Sequence, residues 1–369
     1  MNRLDWVQSK NRMFFIFQFP ISNNTKMTTN LITILKKLAI FTLLIIPASC
    51  IISSFSRPVI FSTNHPIGDT YMGIRLLGMV KLANKEINGI LLTELSGLVW
   101  DNDEQLLYAV SDNGSLFHLR PIISDNILTQ IEAVSAYWLH NKKGKKLQSR
   151  DSEGLALLNG NNGVAGDSEL VISFEQIPRV ARFTPDGQPL ADYTLPAALS
   201  NIDNYYTANK GLEAVTVHPQ LGIITAPEWP LRQKNTVYSL KGQHKHTIYA
   251  IESGEHWTFP AYPTPNSAIV ALEALADGSV LVLERAFVSV FKSVIISLRR
   301  LWLSTCQNCS VTVKWEQVAV FDSQEWRVDN FEGLTHHTGA YFFMVSDDNE
   351  RSFLQETLLS YWELTNSNE

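Results

Sequence analysis

L-S-G-L-V-W (95–100), S-E-G-L-A-L (152–157), G-L-E-A-V-T (211–216), A-L-E-A-L (271–275) and F-E-G-L-T (331–335) are five versions of one short string. Aligned on the third, their acidic position falls at Glu153, Glu213, Glu273 and Glu332, with Ser96 in its place in the first. The steps between them are 57, 60, 60 and 59 residues. Self-similarity at a fixed period marks a repeat architecture, so each string is expected to open one supersecondary unit.

The residues after each string share a pattern. In the first unit the apolar runs are Leu106–Val110, Ser115–Leu119 and Ile131–Leu139; in the second, Glu169–Phe174, Arg179–Phe183 and Leu190–Leu195. Short runs rich in aliphatic and aromatic residues, bounded by Asn, Asp, Gly and Pro, are strand signals. Asn113-Gly114, Asp186-Gly187 and Asp277-Gly278 suit tight hairpins between them. The best helical candidate, Ser293–Leu303, reads equally well as a strand. An all-β chain with four antiparallel strands per repeat is predicted to be a β-propeller. The strings count five blades, or six if one long unit hides a degenerate one. The last string is followed by only three strands, so Ile74–Leu82 is expected to close the ring as the outer strand of the last blade. A β-sandwich or solenoid would not explain such even spacing.

Composition bounds the function. The 369 residues are 45% hydrophobic and 18% charged, with a formal net charge of -6. That is enough chain for a large core, and the acidic balance argues against nucleic acid as partner. Residues 1–57 read as an export region and 58–369 as one propeller domain. Lys36-Lys37, the apolar run Leu38–Ile46 and Pro47-Ala48-Ser49-Cys50 form a secretory signal, with Met27 a plausible true start. Cys50 resembles a lipidated cysteine, although Pro47 stands where Leu is preferred. Cleavage near Ala48–Cys50 and an uncleaved anchor reaching Phe55 are the alternatives. All three place the propeller outside the cytoplasm, in the periplasm or cell envelope, with membrane contact only through the N-terminal segment. The remaining cysteines, Cys306 and Cys309, suit a local disulfide better than half a zinc site.

Candidate chemistry lies where acids repeat. The second strand of each unit ends at Asp112, Glu175, Glu228, Glu284 and Asp347-Asp348. In an antiparallel hairpin the start of the first strand adjoins the end of the second. Both acid sets therefore belong on one rim, and Arg179, Arg232, Arg285 and Arg351 come closely after them in sequence. Asp112, Glu153, Glu175, Glu228 and Asp347 are the catalytic candidates, with Asp151 beside Glu153. Asp112, Glu153, Glu213, Glu273, Glu332 and Asp347 are the candidate ligands of a hard cation such as Ca²⁺. Arg179, Arg232 and Arg285 would grip an anionic group. Equally, each Glu could cap its own blade or pair with a neighbouring blade's Arg. His244 and His246 read as an exposed polar turn.

The strings L-S-G-L-V-W-D with L-Y-A-V-S-D-N-G (95–114), D-S-E-G-L-A-L (151–157), S-F-E-Q-I-P-R-V-A-R-F (173–183), N-K-G-L-E-A-V-T (209–216), A-L-E-A-L-A-D-G-S-V-L-V-L-E-R (271–285) and N-F-E-G-L (330–334) resemble the phytase-like family of secreted bacterial proteins described as having esterase-like activity. The resemblance implies a propeller related in shape to calcium-dependent alkaline phytases. It implies a hydrolase acting on a phosphate or carboxylate ester, with no contiguous phytase calcium-ligand motif present. A non-catalytic ligand- or protein-binding propeller and a lactonase-like metal-dependent propeller are the other readings.

Overall fold

The computed structural model describes residues 55–147, 151–232, 244–287, 292–304, 313–349 and 355–365. The export segment with Cys50, the Cys306–Cys309 pair and Arg351 lie outside the described residues. Residues 54–369 form one compact unit.

Five four-stranded antiparallel sheets make up this unit as a five-bladed propeller. From inner to outer strand, blade one is Leu95–Asp101, Leu106–Ser111, Ser115–Ser124 and Ile127–Trp138. Blade two is Ser152–Leu158, Glu169–Phe174, Arg179–Phe183 and Pro189–Asp192. Blade three is Leu212–His218, Gly222–Pro227, Lys245–Ala250 and His256–Pro260. Blade four is Ser267–Ala274, Ser279–Ala286, Ile295–Trp302 and Lys314–Asp322. Blade five takes Asn330–His336, Tyr341–Asp347 and Leu358–Leu364 from the C-terminal end and Ile74–Leu82 from the N-terminal end. The expected closure is therefore present, and Ser56–Pro58 extends it by a further strand against Ile74–Leu82. The ambiguous 293–303 segment is strand over Ile295–Trp302.

The core lies between blades. Phe343, Val345, Leu359 and Tyr361 of blade five pack with Leu98, Leu107 and Phe117 of blade one. Val171 and Val180 of blade two pack with Val215 and Ile223 of blade three. Each inner strand is covered on both faces, which is why it reads as a continuous apolar run: every residue of Leu95–Asp101 is buried.

One irregularity recurs in all five inner strands. Pairing with the second strand slips between Leu95 and Gly97, Ser152 and Leu155, Leu212 and Ala214, Ile269 and Ala271, and Phe331 and Gly333. A β-bulge of this kind leaves one residue unpaired and re-aims its side chain. The bulged residues are Ser96, Glu153, Glu213, Val270 and Glu332, each followed by Gly or Ala. The small residue is required because neighbouring inner strands meet there. A Cβ on Gly97 would lie 2.4 Å from the Glu153 carbonyl oxygen, and one on Gly154 2.6 Å from Val215 N. On Gly333 it would lie 2.6 Å from a Val345 methyl and 3.0 Å from Leu98 Cβ.

Gly97→Ala is expected to lower stability by about 1–3 kcal/mol, the usual cost of overpacking, in urea unfolding followed by circular dichroism. An unchanged midpoint would mean that the inner strands do not meet this closely.

Candidate functional site

The bulges and the ends of the second strands form two rings around one channel mouth. The first ring is Ser96, Glu153, Glu213, Val270 and Glu332. The second is set by register. Ser111, Phe174, Pro227, Glu284 and Ser346 pair with equivalent inner-strand residues. The next residues are therefore equivalent: Asp112, Glu175, Glu228, Arg285 and Asp347. Backbone bonds hold this second ring: Asp151 N donates to Asp112 O at 2.7 Å, Glu175 N to Asp151 O at 3.0 Å and Glu228 N to Gly211 O at 3.0 Å. Asp151 is left-handed, with φ 69°, a strained conformation for a non-glycine residue.

Seven carboxylates thus converge, and blade four contributes none of them. Arg285 reaches from blade four to Glu332 of blade five and, at 3.2 Å, to Glu228 of blade three. Lys210, on the loop entering blade three, pairs with the other oxygen of Glu228. Asn330 donates to Glu332 at 2.8 Å and Asp347 at 3.0 Å. The Ser96 hydroxyl donates to Asp112. No hydrogen bond among the described residues reaches the side chain of Glu153 or Glu213.

The electrostatics reflect this shortage of cations. Burial, then repulsion by Asp347, raises Asp112 to about 7. Burial and Glu228 raise Glu175 to about 8; burial and Glu332 raise Asp347 to about 8. Burial raises Glu332 to about 7 despite Arg285. Glu153 and Glu213 are pushed well above the ordinary range, again by burial first and their acidic neighbours second. Crowded carboxylates in a site that excludes water must keep protons or bind a cation. One oxygen each from Glu175, Glu213 and Glu228 lies within 4.8 Å of the others, an arrangement able to hold a metal ion. The donor set is all oxygen, the preference of a hard divalent ion.

Several sequence expectations need correction. Glu273 is not in the ring: the fourth bulge is at Val270, and Glu273 lies three residues further along the strand, at the opposite mouth. Glu284 points away from the channel. It accepts from Tyr262 N and Ser267 Oγ, pairs with Arg299 and faces His246 Nε2 at 3.1 Å. His246 is therefore buried on a strand and His244 is buried just before it, rather than both lying in an exposed turn. Arg179 lies over the Phe174 ring and 3.9 Å from Asp192, away from the acids. Arg232 donates to Tyr206 O at the protein surface. Arg285 is in the ring, but its guanidinium is committed to Glu228, Glu332 and Asn330 rather than free to grip an anion. Ser96, Lys210 and Asn330 complete the site, and no spacing in the sequence marks Lys210 or Asn330.

Residues 90–350, well over half of the chain, match the phytase-like family described as "Esterase-like activity of phytase". The chain belongs to that family. Among solved structures it is similar to the PQQ-bound aldose sugar dehydrogenase of Streptomyces coelicolor, at 10% identity and TM-score 0.41, covering 80% of this chain and 100% of that one. It is also similar to the β-propeller domain of Myceliophteria thermophila Cps50 (Swd1), at 11% identity and TM-score 0.37, covering 85% and 97%. No curated protein matches the chain. Within the phytase-like family, then, this member has three acids at its bulges, four at the second ring, and a blade four that supplies Arg instead.

Removing one partner of a buried ion pair strands the other. Arg285→Met is expected to destabilise the fold by about 3–5 kcal/mol at pH 8 and by clearly less at pH 5, where Glu332 can take up a proton. Equal losses at both pH values in chemical denaturation would rule out the ion-pair account.

Proposed function

We propose that the acidic mouth is a hydrolytic site for a phosphate or carboxylate ester and that it works with Ca²⁺. The observation that carries this reading is the imbalance of six buried carboxylates and the partly exposed Asp112 against Arg285 and Lys210. The family description, esterase-like activity of phytase, points to the same class of reaction. Glu175, Glu213 and Glu228 would hold one ion, and Glu153, Asp112, Glu332 and Asp347 would complete its shell or hold another. Bound there, a divalent cation would polarise an ester and make water a better nucleophile. Asp112, fixed by the Ser96 hydroxyl, is placed to accept a proton from water at the mouth. Lys210, partly exposed beside Trp229, would meet an anionic group at the rim through the N–H groups that Glu228 does not take.

Export through the N-terminal segment belongs to the same proposal, and rests on the basic and apolar runs before Cys50. It places the propeller where millimolar Ca²⁺ suits the modest affinity of an extracellular oxygen site. Lipidation at Cys50 would tether it to the envelope.

Linkage gives the test its sign. The unfolded chain loses its carboxyl protons near pH 4, whereas the folded ring keeps some of them to about pH 7 or 8. Across that window the folded state binds more protons, so metal-free stability falls as pH rises. Chelated protein is expected to melt higher at pH 5 than at pH 8. Ca²⁺ is expected to raise the pH 8 melting temperature progressively, by about 2.7 kcal/mol of stability at a hundredfold excess over Kd. Glu213→Gln should weaken that gain together with hydrolysis of p-nitrophenyl phosphate or acetate. Calcium-independent melting at pH 8, or a calcium response unchanged in Glu213→Gln, refutes the metal site; intact binding with no hydrolysis of either ester favours a binding propeller.

A further inference from the structure

The opposite mouth of the channel opens into a cavity of about 880 Å³. Its inner wall is again one residue from each blade, three positions after the bulge: Val99, Ala156, Thr216, Glu273 and Thr335. At the rise of an extended strand, this ring lies about 10 Å along the channel from the acidic one.

These residues share a structural task. Thr216 accepts a hydrogen bond from Ala274 N of the next blade at 3.1 Å. Thr335 accepts from Trp100 N at 3.1 Å. Glu273 accepts from His336 N at 3.1 Å through Oε1. The hydroxyls show that threonine suffices for this bond. Glutamate adds a second oxygen and a charge, and no hydrogen bond or ion pair among the described residues uses either.

Among the described residues lining the cavity there is no lysine or arginine. His336 Nε2 is engaged by Gly339 O at 2.8 Å. His337 bonds Tyr361 Oη through Nδ1 at 2.9 Å, and burial lowers it to about 4, so it is neutral. Glu273, His336 and His337 do not converge as a metal-binding group. Burial raises Glu273 to about 8, the expected behaviour of a carboxyl that lacks a cation. The wall carries Val99, Ala156, Leu157, Val217 and Pro219, with the buried Trp100 indole beside them, among the polar side chains Asn102, Asn159, Asn161, Asn162 and Thr338.

We propose that this second mouth binds an organic ammonium ion, its apolar body on the aliphatic and indole wall and its N–H groups donating to Glu273. A neutral polyol would find hydroxyl and amide partners but would leave the carboxyl without its counter-ion. A metal ion would find only one carboxylate. An ammonium group answers the charge, the donor requirement and the apolar part of the wall together.

Benzylamine and its neutral counterpart benzyl alcohol isolate the charge. In titration calorimetry of the full domain with saturating Ca²⁺ at pH 8.5, above the value of about 8 for Glu273, benzylammonium is expected to bind at least about tenfold tighter than the alcohol, the worth of one charge-assisted hydrogen bond. Glu273→Thr reproduces what Thr216 and Thr335 do for the fold and should erase the preference while leaving the melting temperature close to the parent. Glu273→Asp keeps the charge and should retain a weaker preference, which separates loss of charge from loss of structure. Glu213→Gln, at the other mouth, should leave the preference unchanged. Equal affinity for the two probes, no binding of either, persistence of the preference in Glu273→Thr, or its loss in Glu213→Gln would each overturn the proposal.

Discussion

The close approach of five inner strands governs the rest of the molecule. At the position after each bulge only Gly or Ala is present, and at Gly97 and Gly154 even a methyl group would press on the neighbouring strand's backbone. Strands this close cannot also place a regular, fully paired residue there, so each is bulged, and the bulge turns one side chain per blade toward the channel. The apolar residues on either side, Leu95 and Leu98 in blade one and Phe331 and Leu334 in blade five, then fall between blades and build the core. Packing and site are thus consequences of one backbone feature. The strings that reveal the repeat are also the strings that build the mouth, because small and acidic residues are adjacent in them for linked reasons.

Fivefold repetition alone would make a site with ten carboxylates, a concentration of charge that few folds could hold. Blade four relieves it. At its bulge the buried hydrocarbon Val270 stands where three other blades carry an acid. Arg285, in turn, occupies a second-ring position and extends to blades on both sides. A single cation on the symmetry-breaking blade therefore neutralises parts of two others, and it does so while fully ordered by Glu228, Glu332 and Asn330. The blade gives up an acid at one mouth and carries one, Glu273, at the other. The channel consequently has two ends of different chemistry, although all five blades share one backbone plan.

The architecture was largely legible in the sequence, and the site only in part. Repeat spacing, hairpin dipeptides and the lone strand Ile74–Leu82 identify a closed five-bladed ring, because periodicity and chain closure are properties that letters carry directly. The fourth blade misleads. Ala271-Leu272-Glu273-Ala274-Leu275 imitates Gly211-Leu212-Glu213-Ala214-Val215, and spacing cannot separate a match from one three residues away. The physical signature is apolar, variable, small, apolar. It fits Leu272-Glu273-Ala274-Leu275 as well as Ile269-Val270-Ala271-Leu272, and only the strand register shows that the second is equivalent to Leu212-Glu213-Ala214-Val215 and Phe331-Glu332-Gly333-Leu334. The acid catches the eye, yet the small residue is the constrained one. Arg179 and Arg232 come after acids in sequence as Arg285 does, but side-chain direction separates them: only Arg285 occupies a second-ring position. Lys210 comes from a connecting loop and could not be read from strand periodicity at all.

The charge excess that remains after Arg285 and Lys210 is not demanded by the fold. A carboxylate whose pKa rises to 7 or 8 costs the folded state free energy near neutral pH, because the unfolded chain would hold it ionised in water. Structural needs do not require that cost: Thr216 and Thr335 cap neighbouring strands as neutral hydroxyls, and Ser96 occupies a bulge without a charge. Glu153 and Glu213 occupy equivalent bulges with no described hydrogen-bond donor, where serine would fold as well and without the electrostatic penalty. Repetition explains why an acid can occur at such a place, since the backbone there is the same in every blade. It does not explain why acids are present at three of the five bulges when blades one and four show that neutral residues are compatible with it. A bound cation would supply the missing compensation, and the acids that are least needed by the fold are the ones most available to it.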